Sequence, residues 1–293
     1  MPELPEVETV RRDLSQYLLG ARFTDIKIIA FKNVAPAATF LTKALRGRAI
    51  QSIRRRGKLL IFDLDLPNQH LLVHLKMTGQ LIFLHQEKSL GGGHSLSDNS
   101  FEAAVGGKLP NKFTRAYFRF DHGGQLFFND IRKFGYIKLV SSGELERITQ
   151  SNYGPEPLGK DFNEAWLTSI LAKRLAPVKA VILNQQLIAG LGNIYADEAL
   201  FAAGIDPRRP AKSLRASEVK LLHQVIISLL KRAIKARGTT FRNFVDGRGK
   251  KGNFVDYLQV YQRHGQACLN CGQPLLKDKV AGRGTHYCQY CQK

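Results

Sequence analysis

Cys268-Leu-Asn-Cys271 and Cys288-Gln-Tyr-Cys291, with 16 residues between them, hold all four cysteines of the chain. Two residues between thiols let a tight turn aim both sulfurs at one ion. A spacer of this length fits a hairpin that returns the second pair to complete a tetrahedron. The C-x2-C-x16-C-x2-C spacing falls in the window of four-thiolate zinc sites. Disulfides are the competing reading. They fit adjacent C-x2-C pairs poorly, and the acidic start Met1-Pro-Glu-Leu-Pro-Glu-Val-Glu8 lacks the basic and apolar regions of an export signal. One structural zinc ion is therefore expected. So small a module has almost no core, and metal binding would supply its folding free energy.

The spacer reads as two short strands, Leu275–Val280 and Thr285–Tyr287, around Ala-Gly-Arg-Gly. That pattern predicts Arg283 at the hairpin tip between two glycines, either as a solvated turn residue or as a phosphate-reading fingertip. Working back from the finger, apolar residues recur with helical period over 161–173, 178–188, 194–203 and 217–236, and Ala189-Gly-Leu-Gly-Asn193 interrupts them. Asn152-Tyr-Gly-Pro-Glu-Pro-Leu158 has linker composition.

Before the linker the pattern is that of strands. Lys58-Leu-Leu-Ile-Phe-Asp-Leu64, His70-Leu-Leu-Val-His-Leu75, Gln80-Leu-Ile-Phe-Leu84 and Arg115-Ala-Tyr-Phe-Arg-Phe120 argue for a β-sandwich or barrel. Val7, Val10, Leu14, Tyr17 and Leu18 form one face of a helix over 6–19, with Pro5 at its start and Gly20 at its end. Residues 87–111, rich in Gly and Ser, read as a long mobile loop. The expected class is α+β. Its parts are a helix and β domain over 1–140, a linker over 141–159, a helical domain over 160–256 and a zinc finger over 257–293.

The 293 residues carry 44 Lys+Arg against 24 Asp+Glu, a formal net charge of +20. At this excess a polyanionic partner is expected, with nucleic acid ahead of an anionic membrane surface. Residues 206–251 hold 13 Lys/Arg and three acids, half of the whole excess. No apolar run reaches the ~18 residues that a membrane span needs. The chain is expected in the cytoplasm, as a monomer.

Met1-Pro-Glu-Leu-Pro-Glu-Val-Glu-Thr-Val-Arg-Arg12 resembles the start of the formamidopyrimidine-DNA glycosylase family. The resemblance continues through Arg56-Gly-Lys58, His74-Leu-Lys-Met77-Thr-Gly79, Asp130-Ile-Arg-Lys-Phe134-Gly135 and Gly154-Pro-Glu-Pro-Leu158. It extends through Gly190-Leu-Gly-Asn193-Ile-Tyr-Ala-Asp-Glu-Ala-Leu-Phe201, Val260-Tyr261 and Gly282-Arg283. It implies an N-terminal β-sandwich, a helix–two-turns–helix domain and a zinc finger. It also implies a bifunctional glycosylase and abasic-site lyase that excises oxidised purines, such as 8-oxoguanine and formamidopyrimidines, from double-stranded DNA.

By this resemblance the Pro2 amine, freed by removal of Met1, is the nucleophile. A free α-amine has a pKa near ~8, against ~10.4 for lysine, so a neutral fraction exists at pH 7. Glu3 is implied to move the proton of the opening sugar ring, Lys58 to assist β-elimination and Arg283 the δ-elimination. Met77, Arg132 and Phe134 would fill the gap left by the flipped nucleotide. His74, Arg174, Lys179, Asn193, Tyr261 and Arg283 would hold phosphates, and 239–256 would cover the flipped base. Read alone, Met77 and Phe134 look like core or strand residues.

Two departures stand out. Lys112-Phe113-Thr-Arg115 carries phenylalanine where the family often has histidine, with Arg115 as a substitute contact, and Ile131 stands where proline is frequent. The alternatives are an endonuclease VIII-like enzyme for oxidised pyrimidines and a non-catalytic, zinc-dependent damage-binding protein.

Overall fold

The computed structural model describes residues 2–86, 88–96, 100–239 and 254–293. They fall into two compact units, 2–149 with 236–239 and 150–235 with 254–293. Among the described residues no helix is long and apolar enough to cross a membrane.

The first unit begins with helix α1 (Leu4–Leu18), which has proline in its first turn. Val7, Val10, Leu14 and Leu18 are buried, each contributing about 1.5–3 kcal/mol relative to exposure. Next come β1 (Phe23–Ile28), β2 (Val34–Ala35), α2 (Ala38–Leu45), β3 (Ile50–Arg56), β4 (Leu59–Leu64), β5 (Gln69–His74) and β6 (Gly79–His85). After them come β7 (Lys88–Gly93), α3 (Phe101–Val105), β8 (Thr114–Phe120), β9 (Gln125–Asp130), β10 (Tyr136–Ser141) and α4 (Ser142–Asn152), whose last turn reaches the second unit.

The strands form two five-stranded sheets, β1-β8-β9-β6-β7 and β2-β10-β5-β4-β3, antiparallel except for the β2–β10 pair. Phe23, Phe62, Val73, Phe83, Phe118 and Phe128 from the two sheets share one core with the apolar stripe of α1. The architecture is thus a β-sandwich, with α1 packed on β3 of one sheet and β7 of the other.

Within 87–111, the described residues 88–96 and 100–111 differ from the mobile loop expected. Lys88–Gly93 pair in register with β6, and Ser100 caps α3 by accepting the Ala103 N–H. The glycines serve close packing: a Cβ on Gly92 would lie 1.8 Å from Val10 Cγ2. Buried Gln80 and Asn129 then bind the Ala104 and Val105 carbonyls at the end of α3.

The second unit contains α5 (Glu164–Ala172), α6 (Val178–Leu183), α7 (Asn193–Ala202), α8 (Ala216–Lys235), β11 (Leu276–Val280) and β12 (Arg283–Tyr287). Helix α7 packs on α6, α8 and β12, so it is buried nearly all round and shows no single apolar stripe. Helix α6 stops at Leu183, short of the predicted 188. The Gln185 side chain takes over there, donating to the Leu183 and Leu191 carbonyls and accepting the Gly190 N–H. In the β11–β12 hairpin Val280 pairs with Arg283, so the turn is Ala281-Gly282, both at positive φ. Arg283 is therefore the first residue of β12 rather than the hairpin tip.

Candidate active site and zinc centre

Pro2, Glu3 and Lys58 belong to the first unit and are buried, Glu3 to 1% and Lys58 to 6% exposure. Glu3 caps α1, and its backbone N–H donates to Glu6 Oε2 at 2.8 Å. Glu6 is wholly buried, and its Oε1 accepts from the Thr239 N–H at 2.7 Å and the Thr239 hydroxyl at 3.1 Å. Two turns along α1, Asp13 accepts from Arg237 at 2.5 Å. One face of α1 thus holds residues 237–239. Most of the segment 239–256, expected over the flipped base, lies outside the described residues.

Lys58 joins β3 to β4, and the next residue, Leu59, pairs with His74. His74 Nδ1 accepts the Lys76 N–H at 2.9 Å, which leaves Nε2 as the N–H of a neutral ring. Burial, with the Lys76 and Lys58 ammonium groups, pushes the His74 pKa down to about 3.

Met77 is 37% and Phe134 48% exposed, unusual for large apolar residues at strand ends, and Arg132 joins them. The Arg132 guanidinium lies 4.6 Å from the Phe134 ring centroid and 3.2 Å from Met77 Sδ. Buried Asp130 fixes the loop beneath by accepting from Thr78 Oγ1 at 2.5 Å and the Gly135 N–H at 2.8 Å. Asn33 also donates to the Lys133 carbonyl at 2.7 Å. With these ties the loop is held despite Ile131 in place of proline. Arg115 does not act as a substitute surface cation. Its buried guanidinium is spent on the carbonyls of Asp130 and Lys112, because Thr114–Phe120 turns it under the β9 end.

In the second unit Lys179 is fully buried, with Nζ 2.6 Å from Asp197 Oδ1, 2.8 Å from Thr285 Oγ1 and 3.0 Å from the Gly284 carbonyl. Expected as a phosphate-binding cation, it is instead internal, because α6 and α7 close over it. Asn193 Nδ2 donates to the same Gly284 carbonyl at 2.9 Å, while its buried Oδ1 has no hydrogen-bond partner among the described residues. Asn193 is the first residue of α7; its N-cap is Gly192. The two side chains converge on the residue after exposed Arg283. Tyr261 meets the His286 ring edge-on at 5.1 Å, and Asp197 Oδ2 accepts the His286 N–H at 2.9 Å. Arg174 stands after α5 and donates to the Ile170 carbonyl at 2.5 Å.

The sulfurs of Cys268, Cys271, Cys288 and Cys291 all lie within 4.8 Å of one another. Cys268–Cys291 are 3.9 Å and Cys271–Cys288 3.5 Å apart, bracketing the ~3.8 Å edge that Zn–S bonds of ~2.3 Å give a tetrahedron. Cys268, Leu275 and Cys288 pack with Phe201 and Val260. Glu198 of α7 accepts three successive N–H groups, from Gln259, Val260 and Tyr261, at 2.8–2.9 Å. Burial still pushes its pKa up, against those bonds.

Sequence reasoning assigned no such role to Glu6, Asp13, Asp130, Asp197 or Glu198. Two signals were available: acids seven apart on one face of α1, and a charged pair inside the apolar run Ile194–Phe201.

Residues 1–137 match the formamidopyrimidine-DNA glycosylase N-terminal domain, 153–245 the H2TH domain of the same enzymes, and 265–293 the zinc finger found in FPG and IleRS. The formamidopyrimidine-DNA glycosylase of Heliobacterium modesticaldum is 42% identical, and that of Streptococcus mutans 38%, with 100% of each chain covered. Among solved structures, wild-type Lactococcus lactis Fpg with N7-benzyl-Fapy-dG-containing DNA is 37% identical, with a TM-score of 0.86 over 100% of both chains. The same enzyme with abasic-site DNA gives 37% and 0.86 over 99% of both. The four thiols are accordingly the ligands of one structural zinc ion. Three domain matches in order and full-length identity near 40% accompany this sandwich and finger, and the chain belongs to the formamidopyrimidine-DNA glycosylase family of DNA-repair enzymes.

Proposed function

We propose that the protein is a bifunctional glycosylase and abasic-site lyase for oxidised purines in double-stranded DNA. The Pro2 nitrogen, once Met1 is removed, attacks C1′ of the flipped nucleotide, and the damaged base leaves. Glu3 protonates the ring oxygen as the sugar opens, leaving a cationic iminium that serves as an electron sink. Loss of a sugar proton then expels the 3′ phosphate, and a second elimination expels the 5′ phosphate. Lys58 assists the first elimination and Arg283 the second.

The observation that carries this reading is the exposed cluster of Met77, Arg132 and Phe134 on two loops braced by Asp130. Apolar and cationic side chains presented this way suit the gap left by an extruded nucleotide, whose flipping costs roughly a few kcal/mol. Neutral His74 donates through Nε2 to a phosphate, as do Asn193, Tyr261, Arg174 and Arg283. Lys179 acts on phosphate indirectly, by holding Gly284 and therefore Arg283. The oxidised-purine preference is supported by the relatives solved with Fapy-dG and carbocyclic 8-oxo-G DNA. The chain would work in the cytoplasm, on the DNA.

The test is a nicking assay on duplexes containing 8-oxoguanine or thymine glycol, with borohydride trapping of the iminium. Nicking and trapping at 8-oxoguanine are expected. Preference for thymine glycol would favour the endonuclease VIII-like reading. No trapped adduct with a free N-terminal proline would overturn the iminium step.

A further inference from the structure

A groove of about 530 Å³ opens on the first unit, lined by α2, the β4–β5 turn and β10. Phe40, Ala44, Leu66, Pro67 and Leu139 supply apolar lining, and Phe40 is 60% exposed. Lys43, Arg46 and Arg48 supply cations; no acid is among the described lining residues, and Asp65, beside Leu66, feels the charge of Arg48. Arg46 reaches Asp25 outside the groove at 3.4 Å, through a solvent-accessible pair worth little.

Sheet register separates this groove from the catalytic end. Strand β5 starts in it at Gln69 and ends at His74, opposite Leu59, about 17 Å away at ~3.3 Å per residue. Lys58 and Tyr136 lie at the His74 end. The groove therefore lies at the opposite end of β5 from the loops bearing Met77 and Phe134.

Its chemistry selects the occupant. Nucleic acid would satisfy the cations and leave the apolar lining wet, whereas a purely apolar segment would leave the cations unused. The volume suits one or two large side chains, over a floor of buried Leu139 and half-buried Ala44 and Leu66, with Phe40 and Pro67 exposed at the rim. We propose that this groove docks an acidic peptide segment of a partner protein, seated by an aromatic or large aliphatic side chain.

The test uses the zinc-loaded full chain and a fluorescein-labelled Asp-Glu-Asp-Phe-Leu-Asp-Glu peptide, read by fluorescence anisotropy. Saturable binding is expected, weakened at least tenfold by Phe40→Asp and at least fivefold by Lys43→Glu. Melting temperature and nicking of 8-oxoguanine duplex should not change in either variant. The proposal is overturned by equal binding of a peptide with alanine in place of Phe-Leu, or by binding indifferent to both substitutions. Displacement of the peptide by undamaged duplex in a Phe40-dependent way would assign the groove to DNA. Phe40-dependent self-association in sedimentation would assign it to a second copy. Nicking is scored separately, so its absence in the wild type would bear on the lyase reading alone.

Discussion

Glu6 and Thr239 are joined by two hydrogen bonds, from the Thr239 N–H at 2.7 Å and its hydroxyl at 3.1 Å to Oε1 of Glu6. The other oxygen of Glu6 holds the Glu3 N–H. One buried carboxylate therefore ties the residue after Pro2 to the chain that leads into 240–253. Gly238 allows it: its φ is +79°, and a Cβ there would lie 2.5 Å from Glu6 Oε1.

Glu6→Ala should strand these donors, each costing about 1–3 kcal/mol if left unpaired. The expected result is a lower melting temperature and at least tenfold slower single-turnover excision of 8-oxoguanine, with Glu6→Gln intermediate. Wild-type turnover by Glu6→Ala would show that the tie does not position Glu3.

Asp197→Ala should cost about 3–5 kcal/mol by leaving the Lys179 ammonium buried without its partner. The double variant Lys179→Met with Asp197→Leu should recover most of that in denaturant titrations. Because Lys179 acts on phosphate only through Arg283, the salt slope of DNA affinity should fall in the double variant by no more than in Arg283→Ala. Arg283→Ala should reduce the salt slope by about 1.

Zinc removal should unfold the finger, whose small core is built partly from its own cysteines. Full chelation should abolish binding to abasic-site duplex while the β-sandwich signal in circular dichroism persists. Retained binding with stoichiometric metal loss would contradict this.

Arg132→Ala should leave stability within about 0.5 kcal/mol, because its side chain is exposed. Discrimination for lesions opposite cytosine should be blunted in steady-state competition between opposing bases. Unchanged discrimination would remove Arg132 from partner-base reading.

Acid should destabilise the fold in two steps. His74 is held down at about 3 by burial and neighbouring cations, so the unfolded chain alone takes its proton as pH falls below about 6.5. Burial raises Glu8, but hydrogen bonds from Arg11 and Arg12 and the charge of Arg55 outweigh it and hold Glu8 at about 2. Arg209 holds Glu218 at about 2. Stability from both carboxylates is complete above about pH 4.5 and is lost as pH falls towards 2. Melting temperatures from pH 7.5 to 3 should fall throughout, and His74→Gln should flatten the upper part of the curve.

The finger was legible in the sequence alone, because thiol spacing is local and has few geometric solutions. So were the helix with Val7, Val10, Leu14 and Leu18 on one face, and the strands of the sandwich. The family followed from short motifs spread along the chain. Tertiary structure decided what periodicity cannot encode. It turned Gly91-Gly-Gly93 into a strand by pressing Gly92 against Val10. It took Arg115 and Lys179 out of the surface charge and gave them carbonyls and Asp197 as partners. It brought Met77 to Arg132 and Phe134, which are remote from it in the chain, at one exposed point braced by Asp130. The physical reason is that a charge or an apolar side chain acquires its role from its desolvation and its partners. Those are set by contacts between residues remote in sequence.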